Sequence, residues 1–318
     1  MTESGPTSRT FPTAPRTRGP RRLGNYLKTA VLMAGLTALF LAVGQRLGGA
    51  QGLLFAGFFV VVMNFVTYWF SDRIALAMSG AKPLAPGELP WLEAMVRDLS
   101  GRAGLPMPRL YVMHTPNPNA FATGRSPSHA AVAVTTGLLN LLDRRELSGV
   151  IAHELAHIRN RDTLVSTVAA TMAGIITHAA QMLFWFGGAF LGRDRDDEEA
   201  GSGLAGLALM LVAPIAAMLL QLAISRSREY GADASGASIC GDPDALADAL
   251  SKLEAGARVA PNDQAAATAH LFIVNPLSGG GVLALFSTHP PIEERVRRLR
   301  ALSRSAMAPA SAWAGWAS

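Results

Sequence analysis

The chain has 318 residues, half of them apolar and only 16% charged, which is too apolar for an ordinary soluble domain of this length and long enough for more than one folded unit. Its net charge of +5 lies beside apolar segments rather than among aromatics, so it points to charge that orients a chain in a bilayer and away from nucleic acid. A single cysteine, Cys240, excludes an intrachain disulfide framework and a cysteine-rich metal site.

Residues 1–24 read as a disordered basic tail, rich in Pro, Thr, Ser and Arg with almost nothing to bury. Residues 25–71 read as a transmembrane hairpin, with apolar runs at 27–43 and 53–70 joined through Gly44-Gln45-Arg46. The first run continues into the second without the small-residue cleavage site of a signal peptide. Arg16, Arg18, Arg21, Arg22 and Lys28 precede the pair, and Arg73 and Lys82 follow it, which places both flanks in the cytoplasm.

From Pro83 to Asp162 the composition is that of a soluble domain. Leu92, Met95, Val96 and Leu99 recur at helical spacing behind Pro90, with Gly101 and Gly104 as stop signals. Residues 110–113 and 130–135 predict short strands, and 117–124 an extended segment suited to a sheet edge because Pro118 lacks an amide donor. Asp143 with Glu146 three residues on predicts a capping box at the start of the next helix.

That helix carries His153-Glu154-Leu-Ala-His157. One turn apart on a helix, the two imidazoles can hold one zinc ion with Glu154 beside its open position, where water would be activated. Leu147, Val150, Ile151 and Ile158 form an adjacent core face, leaving the histidines uncovered by it. A coincidental match needs no further ligand; a zinc site does.

Residues 163–225 predict a second transmembrane hairpin, with apolar runs at 164–191 and 204–224 around the acidic loop 194–199 and a kink at Pro214. Basic residues at 159, 161, 226 and 228 again put its ends in the cytoplasm. His178 and Gln181 within it suit hydrogen bonds between helices. Residues 226–304 return to soluble character. Here Glu229 is the best candidate for the third metal ligand, and Asp233, one turn on, for the acceptor of a ligand histidine's ring N–H. The competing reading is a solvated helix whose charges pair at the surface. Asp242-Pro243 predicts the cap of a helix with Leu246, Leu250 and Leu253; Pro291 starts another with Ile292, Val296 and Leu299. Residues 305–318 read as a flexible tail, with Trp313 and Trp316 as interface residues at most.

Four segments, His153–His157, Arg228–Asp233, Asn119–Gly124 and Thr288-His-Pro-Pro-Ile-Glu-Glu-Arg295, together resemble the HtpX family of bacterial inner-membrane zinc metalloproteases. This is a gluzincin group related to the CAAX prenyl endopeptidases, and the resemblance covers residues 25–302. It implies an α+β, mostly helical fold: an integral-membrane zincin-like protease domain with two transmembrane hairpins and a small edge sheet. It further implies one Zn2+ on His153, His157 and Glu229, with Glu154 as general base. His289 would stabilise the oxyanion or simply flank a helix; Arg295 would orient that region; Asn119 and Ala120 would line the substrate strand or be plain edge structure. The implied activity is cleavage of misfolded or damaged membrane proteins at the cytoplasmic face, with no nucleic-acid partner and oligomeric state left open. A non-catalytic zinc-binding scaffold or chaperone, and a transporter using His178 and Gln181, are the rivals.

Overall fold

The computed structural model describes residues 20–169, 171–172, 226–259 and 290–307. The tail before residue 20, nearly all of the expected second hairpin with its acidic loop, His178 and Gln181, and His289, Trp313 and Trp316 lie outside the described residues.

Helix α1 (Pro20–Met78) is one helical trace that doubles back. Were it straight, Thr37 and Asn64 would stand about 40 Å apart. Instead, Asn64 Nδ2 donates to Thr37 Oγ1 at 2.9 Å, and the Phe40 and Phe59 rings lie 5.5 Å apart. The reversal falls at Gly49, whose φ is +55°. Beside it the arms approach so closely that a Cβ on Gly52 would meet the Gly44 carbonyl oxygen at 2.1 Å, so only glycine fits. The stretches Thr29–Arg46 and Gly49–Met78 are long and apolar enough to cross a membrane. Leu54, Phe55, Phe58, Val61 and Phe65 are exposed on the second arm.

The helix outlasts its apolar run by a further two turns. Buried Asp72 explains why: it accepts from Arg109 Nη2 at 2.7 Å, tying the arm to the sheet. Leu76 completes the junction by packing with Met113, Phe121, Ala131 and Ala133.

The sheet has the order β1-β2-β4-β3 and is mixed. β1 (Lys82–Pro83) pairs antiparallel with β2 (Arg109–Met113), β2 parallel with β4 (Ala131–Thr135), and β4 antiparallel with β3 (Ala120–Thr123). The two-residue β1 carries no periodic signal, so the sequence does not announce it. β3 lies at the edge, within the segment expected there. Helix α2 (Pro90–Ala103) ends at Gly104 in the left-handed region, running through Gly101. The short α3 (Thr136–Leu141) follows β4.

Helix α4 (Arg144–Asn160) starts with the full capping box: Asp143 accepts from the Glu146 amide at 2.8 Å, and Glu146 Oε2 from the Asp143 amide at 3.0 Å. It ends at Arg161, whose φ of 64° turns the chain into a new helical stretch beginning at residue 162. Leu164, Val165, Thr167, Val168, Thr171 and Met172 of that stretch are buried within the protein, and Thr167 bonds Thr123 of β3 at 3.0 Å.

Helices α5 (Arg226–Cys240), α6 (Pro243–Val259) and α7 (Ile292–Met307) pack on α4 and each other. Glycine permits the two closest approaches. A Cβ on Gly149 would sit 2.6 Å from the Leu246 amide nitrogen, and one on Gly236 would sit 2.9 Å from the His153 backbone. Leu147, Val150, Ile151, Leu246, Leu250, Leu253 and Leu299 form the shared core.

Candidate metal centre

Three elements bring the polar groups together. α4 supplies His153, Glu154 and His157, α5 supplies Glu229 and Asp233 at i and i+4, and α7 supplies Arg295. The Nε2 atoms of the two histidines lie 3.2 Å apart. Glu229 reaches both, with Oε2 at 3.8 Å from His153 Nε2 and Oε1 at 3.5 Å from His157 Nε2. Ligand atoms around a tetrahedral zinc with bonds of about 2.0–2.1 Å are separated by roughly 3.3 Å, so this donor set has the spacing and chemistry of a three-ligand zinc site. Among the described residues His153, His157 and Glu229 form the one such cluster, their donor atoms all within 4.8 Å of one another.

The centre is more enclosed than a one-helix view suggests. His153 is 2% exposed and Glu154 and Glu229 are 6% exposed, because α5 closes over the histidine face of α4. A buried group of this charge needs partners. Asp233 Oδ1 lies 3.0 Å from His153 Nδ1, though too obliquely for a well-aligned hydrogen bond. Asp162 Oδ2 lies 3.2 Å from His157 Nδ1. Thus each imidazole has a carboxylate at its far nitrogen while its near nitrogen turns inward, the pattern that fixes the tautomer of a ligating histidine. Asp162 escapes a reading by helical spacing because it is five residues from His157, beyond the helix end. Its signal is the Asn-Arg-Asp turn, which the left-handed Arg161 folds back toward the site.

Arg295 is fully buried and grips Asp233 with two hydrogen bonds, Nε to Oδ2 at 2.9 Å and Nη2 to Oδ1 at 2.7 Å. Burial alone would raise the Asp233 carboxyl, but the attraction and hydrogen bonds of Arg295, with His153, hold it down to about 2. Burial opposes charge on His157 too, yet the hydrogen bond to Asp162 and the carboxylates of Glu229 and Glu154 push it up to about 9. Carboxylates therefore outnumber cations around the imidazoles, an environment that favours a bound dication, which would displace the proton from His157.

Glu154 points toward the sheet edge, where its Oε2 accepts the Ala122 amide at 2.8 Å. Asn119 is turned inward: its amide donates to Thr135 Oγ1 at 2.8 Å and its carbonyl accepts from the Thr135 amide at 2.9 Å. By the alternation of an antiparallel pair, Ala120 and Ala122 direct their backbone groups to the free edge beside Glu154. Arg295 lies in the centre as part of the Asp233 pair, and its neighbour in sequence, His289, falls outside the described residues.

In comparisons with known families, residues 86–303 match Peptidase family M48. The chain is 53% identical over 279 residues to Protease HtpX homolog of Desulforapulum autotrophicum, spanning 87% of this chain and 90% of that protein. It is 52% identical over 285 residues to Protease HtpX homolog of Syntrophobacter fumaroxidans, spanning 88% and 100%. Among solved structures, the crystal structure of S. mikatae Ste24p matches with a TM-score of 0.45 and 18% identity, over 87% of this chain and 65% of that one.

Proposed function

Because the chain belongs to peptidase family M48, among its HtpX homologues, and is a metalloprotease, we propose that it is a zinc-dependent endopeptidase embedded in the bacterial inner membrane, multi-pass, with its catalytic domain and both ends in the cytoplasm. Its substrates are misfolded or damaged membrane proteins, and its role is membrane-protein quality control under stress. The observation that carries the reading is the convergence of His153, His157 and Glu229 beside a glutamate that touches a sheet edge.

In this reading His153, His157 and Glu229 hold the ion, and Asp233 and Asp162 fix the two imidazoles from behind. Zinc bound there would supply Lewis acidity and an acidified water. Glu154, beside that position, would accept the proton of the attacking water and return it to the departing amine. Its contact with the Ala122 amide keeps the carboxylate near the edge where the scissile bond would lie.

An extended peptide adds to that edge through the outward backbone groups of Ala120 and the carbonyl of Ala122, whose amide is taken by Glu154, while Asn119 anchors the strand to Thr135. Backbone pairing gives affinity with little sequence choice, which suits damaged proteins of many sequences. His289 would add an oxyanion donor. Arg295 positions Asp233 and, through it, His153. The exposed apolar arm of α1 supports a site beside the bilayer, and the basic residues bordering it support a cytoplasmic orientation.

The test uses the full chain in lipid vesicles with an unfolded membrane protein as substrate, and measures zinc content and cleavage together. Glu154→Gln should keep the metal and lose cleavage, whereas Glu229→Ala should lose both. Cleavage by Glu154→Gln at the wild-type rate overturns the mechanism. Zinc-loaded wild type that binds such substrates without cutting them favours the scaffold reading.

A further inference from the structure

Where α1 meets the sheet, a cavity of about 510 Å3 opens to the surface, outside the metal centre. Its walls join two chemistries. One arm of α1 brings Phe65, Trp69 and Phe70, all exposed, and the soluble domain brings Arg109, Arg125 and His129. Along α1, Phe58, Phe65, Trp69 and Arg73 fall on one face at helical spacing. That face passes from apolar through aromatic to cationic, the order in which a bilayer passes from acyl chain through interface to headgroup.

The charges in the cavity do not cancel. Asp72, its carboxylate, is already paired with Arg109 at 2.7 Å. Arg125 lies 4.7 Å from the Trp69 ring centre and donates from Nη1 to the Trp69 carbonyl at 3.2 Å. Arg73 stands 5.7 Å from the Phe70 ring centre. Among the described residues no carboxylate forms an ion pair with Arg73 or Arg125. Both guanidiniums lie over aromatic rings, which help hold them in place, and both line the cavity. Two guanidiniums in the wall of one cavity, neither in an ion pair among the described residues, suit a phosphate, whose oxygens accept paired N–H groups.

The geometry points to a site for the headgroup of an anionic phospholipid, with Arg73 and Arg125 binding the phosphate and Phe65 and the exposed arm below it contacting the acyl chains. It rests on the reading that α1 lies in the membrane. An acidic peptide would satisfy the arginines and leave that apolar arm in water. A lipid satisfies both with one molecule and locks the hairpin to the catalytic domain at the Asp72–Arg109 junction.

The experiment uses the full chain. Flotation with phosphatidylcholine vesicles first tests membrane insertion; failure to float overturns the membrane reading itself. In detergent, the melting midpoint is then titrated with short-chain phosphatidylglycerol, short-chain phosphatidylcholine and inorganic phosphate. Phosphatidylglycerol should raise the midpoint saturably, and phosphatidylcholine should not. Arg73→Gln/Arg125→Gln should weaken the apparent affinity by about ten-fold or more. The exposed pair Arg97→Gln/Arg304→Gln, which removes the same charge elsewhere, should leave it unchanged, and Arg73→Lys/Arg125→Lys should retain part of it. Equal response to both lipids, or equal weakening by both glutamine pairs, overturns the site. Phosphate acting as strongly as phosphatidylglycerol overturns the lipid as its ligand. If the Arg73→Gln/Arg125→Gln protein does not melt cooperatively, Phe65→Ala serves instead, and undiminished phosphatidylglycerol binding by it overturns the site.

Discussion

At the scale of single residues, the buried pair of Asp233 and Arg295 lies directly behind His153. Removing one member leaves an uncompensated buried charge. Arg295→Ala should therefore cost on the order of 3 kcal/mol or more, seen as a large fall in the melting midpoint of the metal-free protein, with Arg295→Met/Asp233→Leu recovering part of the loss. The pH dependence follows from the same contact. Asp233 is held at about 2 against its ordinary 3.8, so the folded form binds its proton less readily than the unfolded one. Its contribution, on the order of 2 kcal/mol, is present above pH 4 and is lost as pH falls through about 2. A melting series from pH 5 to pH 2 should show this descent in wild type and a shallower one in Asp233→Asn. Glu154→Gln should reduce cleavage by about 10²–10⁴-fold while zinc content stays at the wild-type level; an unchanged rate would remove Glu154 from the chemistry.

At the scale of elements, α4 carries the metal motif and is held at its start by the Asp143 and Glu146 box. Asp143→Ala should cost about 1 kcal/mol of stability through the lost cap, read as a lowered melting midpoint with intact zinc stoichiometry. Gly236 lets α5 lie against the His153 backbone. Any side chain there forces α5 outward and carries Glu229 with it, so Gly236→Val should weaken zinc binding more than Asp143→Ala does, even where stability falls equally. Periodicity, caps and prolines announce α2, α4, α6 and α7 because those signals lie within a few residues of each other. β1 is too short to carry a pattern. The extension of α1 to Met78 depends on Asp72 meeting Arg109, a contact invisible to local spacing.

At the scale of the whole molecule, the centre couples segments far apart in the chain: Glu229 lies 72 positions after His157 (229 − 157). A ligand shared between α4 and α5 should therefore stabilise the fold. Chelation should lower the melting midpoint of wild type and stoichiometric zinc should restore it, with no such response in Glu229→Ala. The sequence by itself determined the membrane character, the course of most helices and the donor types at His153, Glu154, His157 and Glu229, since each follows from local pattern or side-chain chemistry. Only the tertiary structure decided the distances among them, the burial of the histidine face under α5, the backing of His157 by Asp162 and the contact of Glu154 with Ala122. Those depend on how separate helices and a strand pack, and packing is set by close approaches such as Gly236 against His153 that no single segment contains.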